Sequence, residues 1–346
     1  MGMSSLRQMY GLGRLSVSAG LGMARYLYVG EADHRAWRSF LGLHCNTNGL
    51  STEILARAMR RLRPPRRPIE PFHSMFGDFD SAKIGAIADQ IHRDGYHVFE
   101  TRLPAALCDQ IADAAKTIEA RAGRNPDGKA VMAKFDPNHP IAYVYDVPED
   151  KVCRIRGYQQ IMADPIFMNV SQAYFGASPA LKNVNLWWSA VIDGKPDSHA
   201  AQLFHFDFDA APRWLKFFVY LSDVSSETGP HVYVRGSHRR QAKTRDLLAR
   251  GYVRIDDDEV ASVFGRDNIV ELSGLKGTVL AVDTMGFHKG KPPSSGYRLL
   301  AQLEYAIPLF VASKSSPQPI PPDAYPGLLE ARKSYPWAFA RFPIAA

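Results

Sequence analysis

The second half of the chain is a series of short segments rich in β-branched and aromatic residues. These segments, between residues 182 and 307, are KNVNLWWSAVI, QLFHFDF, WLKFFVYLSDV, PHVYVRG, GTVLAVDT and YRLLAQLEYAI. Turn-forming clusters such as DGKPDS, SSETGP and KPPSSG separate them. Many short strands with turn-rich connections are typical of β-sandwiches and barrels. We therefore predict a mainly β protein with flanking helices, built on a double-stranded β-helix core (a cupin-like jelly roll).

Helical patterns precede this β-rich half and interrupt it once. Residues 81–95 repeat apolar side chains at helical spacing, and residues 96–100 predict a strand. A second helix is predicted over 104–123, ending at Gly123. Residues 241–264 predict a helical insertion between the strands.

Proline and arginine divide the chain into three parts. The segment LRPPRRPIEP, residues 62–71, is typical of an extended connector. We therefore predict an Arg-rich N-terminal extension and linker over 1–75, and a jelly-roll domain with its N-terminal helices over 76–311. Residues 312–346 are rich in proline and aromatic residues, and we expect an irregular tail that wraps the body.

Positive charge is concentrated at the N-terminus. Residues 1–67 contain eleven arginines and no lysine against Glu31, Asp33 and Glu53, which gives a net charge of +8. The whole chain carries +7, so the remainder is close to neutral at −1. This asymmetry indicates either an anionic partner, such as a membrane surface or a carrier protein, or a solvated basic face. No aromatic-interleaved basic stripe accompanies it, so we expect no nucleic-acid partner.

The cysteines and the hydropathy pattern bear on the compartment. Cys45, Cys108 and Cys153 are isolated in the sequence and form no CxxC pair, which favours a reducing cytoplasm over a disulfide framework. No stretch approaches the ~18 consecutive apolar residues of a membrane-spanning helix. We therefore expect a cytoplasmic protein, with peripheral membrane contact as an open alternative.

Two histidines, an aspartate and an arginine have the pattern of an oxygenase site. His205 and Asp207 lie two residues apart in LFHFDFD, so a strand would place both side chains on one face. His288 follows the strand TVLAVDT and would complete a two-histidine, one-carboxylate set, which suits non-haem Fe(II). Arg298, on the next predicted strand, is a suitable anchor for an acidic co-substrate.

The stretch from His205 to Arg298 resembles the phytanoyl-CoA dioxygenase-like family of Fe(II)- and 2-oxoglutarate-dependent oxygenases. WLKFFVYLSDVSSETGPHVYVRGSHR, residues 214–239, is similar to the family's strand, acidic turn, hairpin and Gly-Ser-His ending. Upstream, RDGYHVFE and LPAALCDQI resemble the family's N-terminal entry, so the similarity covers about residues 80–310. One departure is Arg235, which stands where the family often has proline.

The resemblance implies a site and a reaction. It assigns Fe(II) to His205, Asp207 and His288, and the far carboxylate of 2-oxoglutarate to Arg298. It also implies O2 as a co-substrate, and oxidation of a C–H bond coupled to the release of succinate and CO2. Related halogenases have a small residue at the position of Asp207, so the intact carboxylate favours hydroxylation or desaturation. The implied substrate is a small molecule or a lipid-, sugar- or carrier-linked biosynthetic intermediate.

Further cofactor contacts are predicted on two strands. Lys216 and Tyr220 share one face of WLKFFVYLS and would reach 2-oxoglutarate, unless Lys216 extends to solvent. Trp187 and Trp188 are adjacent and must face opposite ways, and we assign Trp188 to the cofactor site with the core as its alternative. His231 and His238 flank a hairpin, and we expect His238 to be structural.

The same residues are also compatible with other functions. The same cofactors support desaturation, cyclisation or epimerisation, because the position of the substrate decides the outcome. A jelly-roll module that only binds a metabolite is the non-enzymatic alternative. The metal set of a typical cupin, HxH with a following glutamate, does not fit HFDFDAAPR.

Overall fold

The computed structural model describes residues 3–29, 34–124, 127–192, 202–208, 212–242, 245–250, 254–307 and 317–345. Within these ranges the helices are α1 Met3–Val29, α2 His34–Asn46, α3 Leu50–Leu62, α4 Ser81–Asp94, α5 Ala105–Thr117, α6 Glu149–Val152, α7 Arg156–Ala163, α8 Pro165–Phe175, α9 Arg245–Ala249, α10 Asp257–Phe264 and α11 Pro326–Ser334. The strands are β1 Phe72–Ser74, β2 Gly77–Phe79, β3 Tyr96–Val98, β4 Ala120–Arg124, β5 Ala130–Ala133, β6 Val144–Asp146, β7 Ala180–Ala190, β8 Trp214–Tyr220, β9 His231–Val234, β10 Ile269–Leu272, β11 Val279–Val282, β12 His288–Gly290 and β13 Tyr297–Ala306.

Two antiparallel sheets form the core. The larger sheet has the strand order β3-β11-β8-β13-β7-β6-β4-β5, and the smaller has the order β10-β9-β12. Their facing sides pack together through a cluster that joins Tyr220 and Leu300 of the large sheet to Tyr233 and Leu272 of the small one. The predicted mainly β jelly roll with flanking helices is therefore confirmed.

The large sheet is covered on both faces. Leu215, Phe217 and Val219 of β8 pack into the main hydrophobic core, which the helices α4, α5, α7 and α8 close from outside. The alternate residues of β8 face the small sheet, because successive side chains on a strand point to opposite faces. All seven residues of β8 are consequently buried. Each large apolar side chain buried in this way contributes about 1.5–3 kcal/mol.

Of the first two predicted helices, one is confirmed and the other is shorter than predicted. The helix over 81–95 is confirmed as α4, which ends at Gly95 in the left-handed conformation (φ 89°). The helix over 104–123 was predicted six residues too long, since α5 ends at Thr117 and β4 follows. Gly123 (φ 84°) does not end a helix but lies where the β4–β5 register shifts. A glycine with positive φ suits both settings, so its presence alone did not separate them.

The N-terminal helices pack against the jelly roll. The indole nitrogen of Trp37 in α2 donates to the carbonyl of Phe208 at 2.8 Å. The ring of His44 lies against Phe206 and Phe208, with centroids 5.9 and 5.1 Å apart. Arg60 of α3 donates to the carbonyl of Phe175 at 2.9 Å. Residues 34–62 thus form an outer layer behind the HFDF segment, and the domain boundary near residue 75 stays a prediction.

The tail and the insertion contain more structure than the sequence suggested. Within 317–345 the chain forms α11, and Ile320 pairs with Ile344 in a parallel bridge. Leu328 and Phe342 are fully buried in the main core, so the prediction of an irregular tail was wrong for this part. The first residues of the predicted tail lie outside the described ranges. The predicted insertion contains α9 and α10.

Gly95 offers a test of this packing. A Cβ at position 95 would meet the hydroxyl of Tyr233 and Nδ1 of His238, in addition to the strain of positive φ. We expect Gly95→Ala to lower the free energy of unfolding by at least ~1–2 kcal/mol, measured by chemical denaturation. A Cβ added at Gly85, inside α4, would meet no neighbouring atom within 4 Å. Gly85→Ala is the matched control, and we expect it to stabilise by up to ~1 kcal/mol. Equal losses in both variants would contradict this assignment.

Candidate active site

Backbone pairing brings the three predicted iron ligands together. The amide of His205 donates to the carbonyl of His288 at 3.0 Å, and the amide of His288 returns a bond to His205 at 2.8 Å. Asp207 is held by its own amide, which donates to Thr284 at 2.8 Å. One ligand atom from each of His205, Asp207 and His288 lies within 4.8 Å of the others. The sequence-predicted triad therefore forms one buried cluster.

The histidine rings present the nitrogen that a metal needs. Nδ1 of His205 lies 2.8 Å from the carbonyl of Leu203, and Nδ1 of His288 lies 2.9 Å from that of Gly286. A carbonyl only accepts, so each Nδ1 carries the proton and each Nε2 keeps its lone pair. Burial is the main cause that lowers the pKa of His205 to about 3, and the neighbouring His288 contributes to this lowering. Burial also lowers the pKa of His288. Both rings are thus neutral at physiological pH, the form that binds metal.

Asp207 completes the cluster as a carboxylate. Its Oδ1 lies 3.7 Å from Nε2 of His205, and its Oδ2 lies 3.5 Å from Nε2 of His288. Burial opposes ionisation, but Lys216 and the two histidines outweigh it and hold the pKa of Asp207 well below its usual range. Two neutral imidazoles and one carboxylate, all on one side, match the donor set that non-haem Fe(II) takes.

Lys216 stands directly beside the triad. Its Nζ donates to Oδ2 of Asp207 at 2.7 Å and lies 3.8 Å from a carboxylate oxygen of Glu304. The side chain is buried, so the alternative in which Lys216 extends to solvent is wrong. The predicted contact between Lys216 and 2-oxoglutarate stays a prediction, whereas its ion pair with Asp207 is a contact that the sequence did not reveal.

Arg298 is a buried cation that has no counter-ion among the described residues. The residue is 6% exposed, and its guanidinium donates to the carbonyl of Gly229 and, at 3.1 Å, to the hydroxyl of Ser189. Its Nε has no hydrogen-bond partner, and none of the described carboxylates pairs with the group. Burial lowers the pKa of Arg298. Because an uncompensated buried charge is strongly unfavourable, this environment is suited to an anionic ligand.

His231 lies beside His288 of the triad, and both His231 and Tyr220 lie near Arg298. The hydroxyl of Tyr220 donates to Leu272 at 2.6 Å and accepts from the amide of His231 at 3.1 Å. Burial raises the pKa of Tyr220 to about 12, so it stays protonated. Both bonds go to backbone, which indicates that Tyr220 positions β9; its predicted contact with 2-oxoglutarate stays a prediction.

His231 was missed as a site residue by sequence reasoning. Its ring lies between Phe218 and His288, with centroids 4.9 and 5.3 Å away. Its Nε2 is buried and has no partner among the described residues. The available signal was strand alternation, since His231 and Tyr233 share one face of β9, and Tyr233 is paired with His288 on the neighbouring strand β12. His238, by contrast, lies 3.1 Å from the carbonyl of His92 and serves the structural role that we expected.

Trp188 does not lie at the site. It stacks on Phe135 with centroids 4.5 Å apart and belongs to the main core on the helical side of the large sheet. Trp187 pairs with Leu300 and so lies on the face that also carries Arg298. The prediction that Trp188 binds the cofactor is therefore wrong. Alternation indicated that the two tryptophans face opposite ways, but with both faces of β7 covered it did not indicate which face holds the site.

Comparison with known proteins places the chain in a family. The profile of the family described as phytanoyl-CoA dioxygenase (PhyH) matches residues 91–299, which is 209 of the 346 residues. A search of curated proteins finds no match.

Solved structures with a similar fold come from several oxygenases. EctD from S. alaskensis, solved with 2-oxoglutarate and 5-hydroxyectoine, is 19% identical with a TM-score of 0.44, over 82% of this chain and 92% of that one. The epimerase SnoN, solved with Fe3+, alpha ketoglutarate and nogalamycin RO, is 16% identical with a TM-score of 0.46, over 65% and 84% of the two chains. The carbocyclase SnoK from nogalamycin biosynthesis is 17% identical with a TM-score of 0.42, over 64% and 82%.

The matched range contains the whole His205–Asp207–His288 cluster and Arg298. The neutral Nε2 atoms fit Fe(II), and the uncompensated guanidinium fits the carboxylate of a co-substrate. The chain belongs to the phytanoyl-CoA dioxygenase family, and it is an iron- and 2-oxoglutarate-dependent oxygenase that consumes O2.

Proposed function

We propose that the protein hydroxylates an unactivated C–H bond of a small-molecule, lipid-, sugar- or carrier-linked biosynthetic intermediate, with release of succinate and CO2. The observation that carries the proposal is the combination of a two-histidine, one-carboxylate cluster with a buried arginine that pairs with no carboxylate in the described part of the chain. The first suits iron and the second suits the far carboxylate of 2-oxoglutarate.

Each side chain has a separate task in this proposal. Nε2 of His205, Nε2 of His288 and the carboxylate of Asp207 hold the iron, which supplies oxygen activation and oxidation of the C–H bond. Arg298 binds and orients 2-oxoglutarate through its planar fork. Lys216 holds Oδ2 of Asp207 and so fixes the rotation of the carboxylate.

Two further groups order the site around these ligands. Tyr220 fixes the start of β9 through the amide of His231. Nε2 of His231, which has no partner among the described residues, offers one more hydrogen bond to a ligand bound beside the triad. Phe218 packs against the other side of that ring and holds its orientation.

The side chain at position 207 helps to decide between hydroxylation and halogenation. Its carboxylate occupies the position that related halogenases leave open, and it is fixed by Lys216, so hydroxylation is favoured over halogenation. Desaturation, cyclisation and epimerisation use the same cofactors and are the alternative outcomes. They differ from hydroxylation in what becomes of the substrate after the first hydrogen is removed, and product mass separates them.

The test has two stages. Metal-free protein is first titrated with Fe(II) and 2-oxoglutarate without oxygen, and we expect the visible charge-transfer band of a chelated keto acid, absent in an Asp207→Ala, His288→Ala double variant. The loaded enzyme is then given 18O2 and a metabolite and lipid extract. A product that gains one labelled oxygen atom supports hydroxylation. A product that loses two hydrogens, or keeps its mass, would replace it with one of the alternatives.

A further inference from the structure

The N-terminal helices carry an unusual share of the exposed apolar surface. Eleven large hydrophobic residues are exposed among the described residues, and six of them lie between positions 17 and 62, so the surface is concentrated there. These six are Val17, Leu21, Tyr28, Leu50, Ile54 and Leu62. The first three belong to α1 and the last three to α3.

An apolar stripe runs along the middle of the solvent-facing side of α1. Val17, Leu21 and Tyr28 are 64%, 68% and 92% exposed, and at about 100° per residue they share one face of the helix. Ala19 and Gly22 lie on the opposite face and are buried against α2. A helix packed on a protein in water normally shows its polar face outward, and α1 shows apolar side chains instead.

Positive charge borders this apolar face. Arg14 and Arg25 are exposed along one flank of α1, and the helix Met3–Val29 contains no acidic residue. The same combination recurs on α3, where Arg57 and Arg61 share a face with Ile54. Apolar side chains bordered by arginines are typical of helices that lie in the interface of an anionic membrane. Within the described ranges, no helix combines the length and the hydropathy needed to cross a bilayer.

We propose that the outer face of α1, with the outer face of α3, binds the surface of a membrane rich in anionic phospholipid. The charge favours lipid as the occupant, because residues 1–67 carry +8 while the rest of the chain is close to neutral. Apolar residues at the centre and arginines at the flank allow insertion between headgroups and contact with phosphates.

Docking through this surface places the active site close to lipid. The helix α2 packs against α1 on one side and holds the HFDF segment on the other, through Trp37 and His44. A single layer of helix therefore separates the membrane-binding face from the HFDF segment, which carries His205 and Asp207. The inference does not depend on the type of oxidation.

Vesicle flotation of the full-length, iron-loaded enzyme tests the proposal. The probes are vesicles of phosphatidylcholine alone and of phosphatidylcholine mixed with phosphatidylglycerol. We expect binding to the anionic vesicles that falls with rising salt. Val17→Ser with Leu21→Ser should reduce partitioning at least ~10-fold, and Arg14→Gln with Arg25→Gln should weaken the preference for phosphatidylglycerol.

The control variant is Ile141→Ser with Leu275→Ser, which changes two residues that are 61% and 57% exposed elsewhere on the surface. We expect it to bind like the native enzyme. Far-ultraviolet circular dichroism checks that each variant keeps its helices. Failure of the native enzyme to float with anionic vesicles would overturn the proposal, as would unchanged binding in the α1 variants. A dimer that dissociates in Val17→Ser, Leu21→Ser and binds no vesicle would assign the face to a second copy of the chain instead.

Discussion

Asp207→Asn is expected to abolish turnover of 2-oxoglutarate and to lower the affinity for Fe(II) by at least ~100-fold. Asparagine keeps the size of the side chain and retains an oxygen for Lys216, so the fold should survive. It removes the negative charge that a divalent ion needs beside two neutral imidazoles. It also leaves Lys216 with Glu304, 3.8 Å away, as its remaining acidic neighbour among the described residues.

Anaerobic titration with Fe(II), followed by the charge-transfer band with 2-oxoglutarate, measures this effect. Asp164→Asn is the matched control. Asp164 is also a buried aspartate, but its carboxylate caps α8 by accepting from Ile166 at 2.9 Å and also accepts from Met75 at 2.8 Å. We expect that variant to lose stability and to keep its iron. Native iron affinity in Asp207→Asn would remove Asp207 from the ligand set.

Arg298→Lys is expected to raise the KM for 2-oxoglutarate by ~10–100-fold, with a smaller effect on kcat at saturating co-substrate. Lysine keeps the charge but presents a single ammonium group, which cannot form two parallel bonds to a carboxylate. It also loses one of the two bonds to Gly229 and Ser189 that aim the guanidinium.

Initial rates of succinate release against 2-oxoglutarate concentration give both constants. Arg341→Lys provides the comparison, because Arg341 is equally buried but is already paired with Glu149, at 2.5 and 2.6 Å. We expect that change to lower stability and to leave the KM for 2-oxoglutarate unchanged. An unchanged KM in Arg298→Lys would show that another group anchors the co-substrate.

The parts of the site that sequence predicted are those fixed by short-range geometry. Residues two apart on a strand lie on the same face, and this rule was sufficient to group His205 with Asp207. The stop of α4 at Gly95 follows equally from local conformation. His288 and Arg298 were joined to that pair by ligand chemistry and by the resemblance to a family, because no local rule relates positions more than 80 residues apart.

The sequence did not predict which face of the large sheet holds the site, because both faces of that sheet are covered by protein. Trp188 was assigned to the wrong face because Trp187 and Trp188 are equally large aromatics and both sides of β7 are covered by protein. The pairing of Lys216 with Asp207 and the position of His231 against His288 are contacts between separate segments of the chain. Such contacts follow from register, and register is set by tertiary packing.

Because His205 and His288 are held together by reciprocal backbone hydrogen bonds, metal binding depends on the correct pairing of two distant segments of the chain. The two ligands are 83 residues apart and meet only when the HFDF segment and β12 align residue for residue. A slip of one residue would turn a ligand histidine to the opposite face and scatter the cluster. Iron should thus bind only to molecules in which this distant pairing is complete, and by mass action it should shift the population toward them. The free energy of unfolding measured with and without Fe(II) would show how much the metal stabilises this pairing.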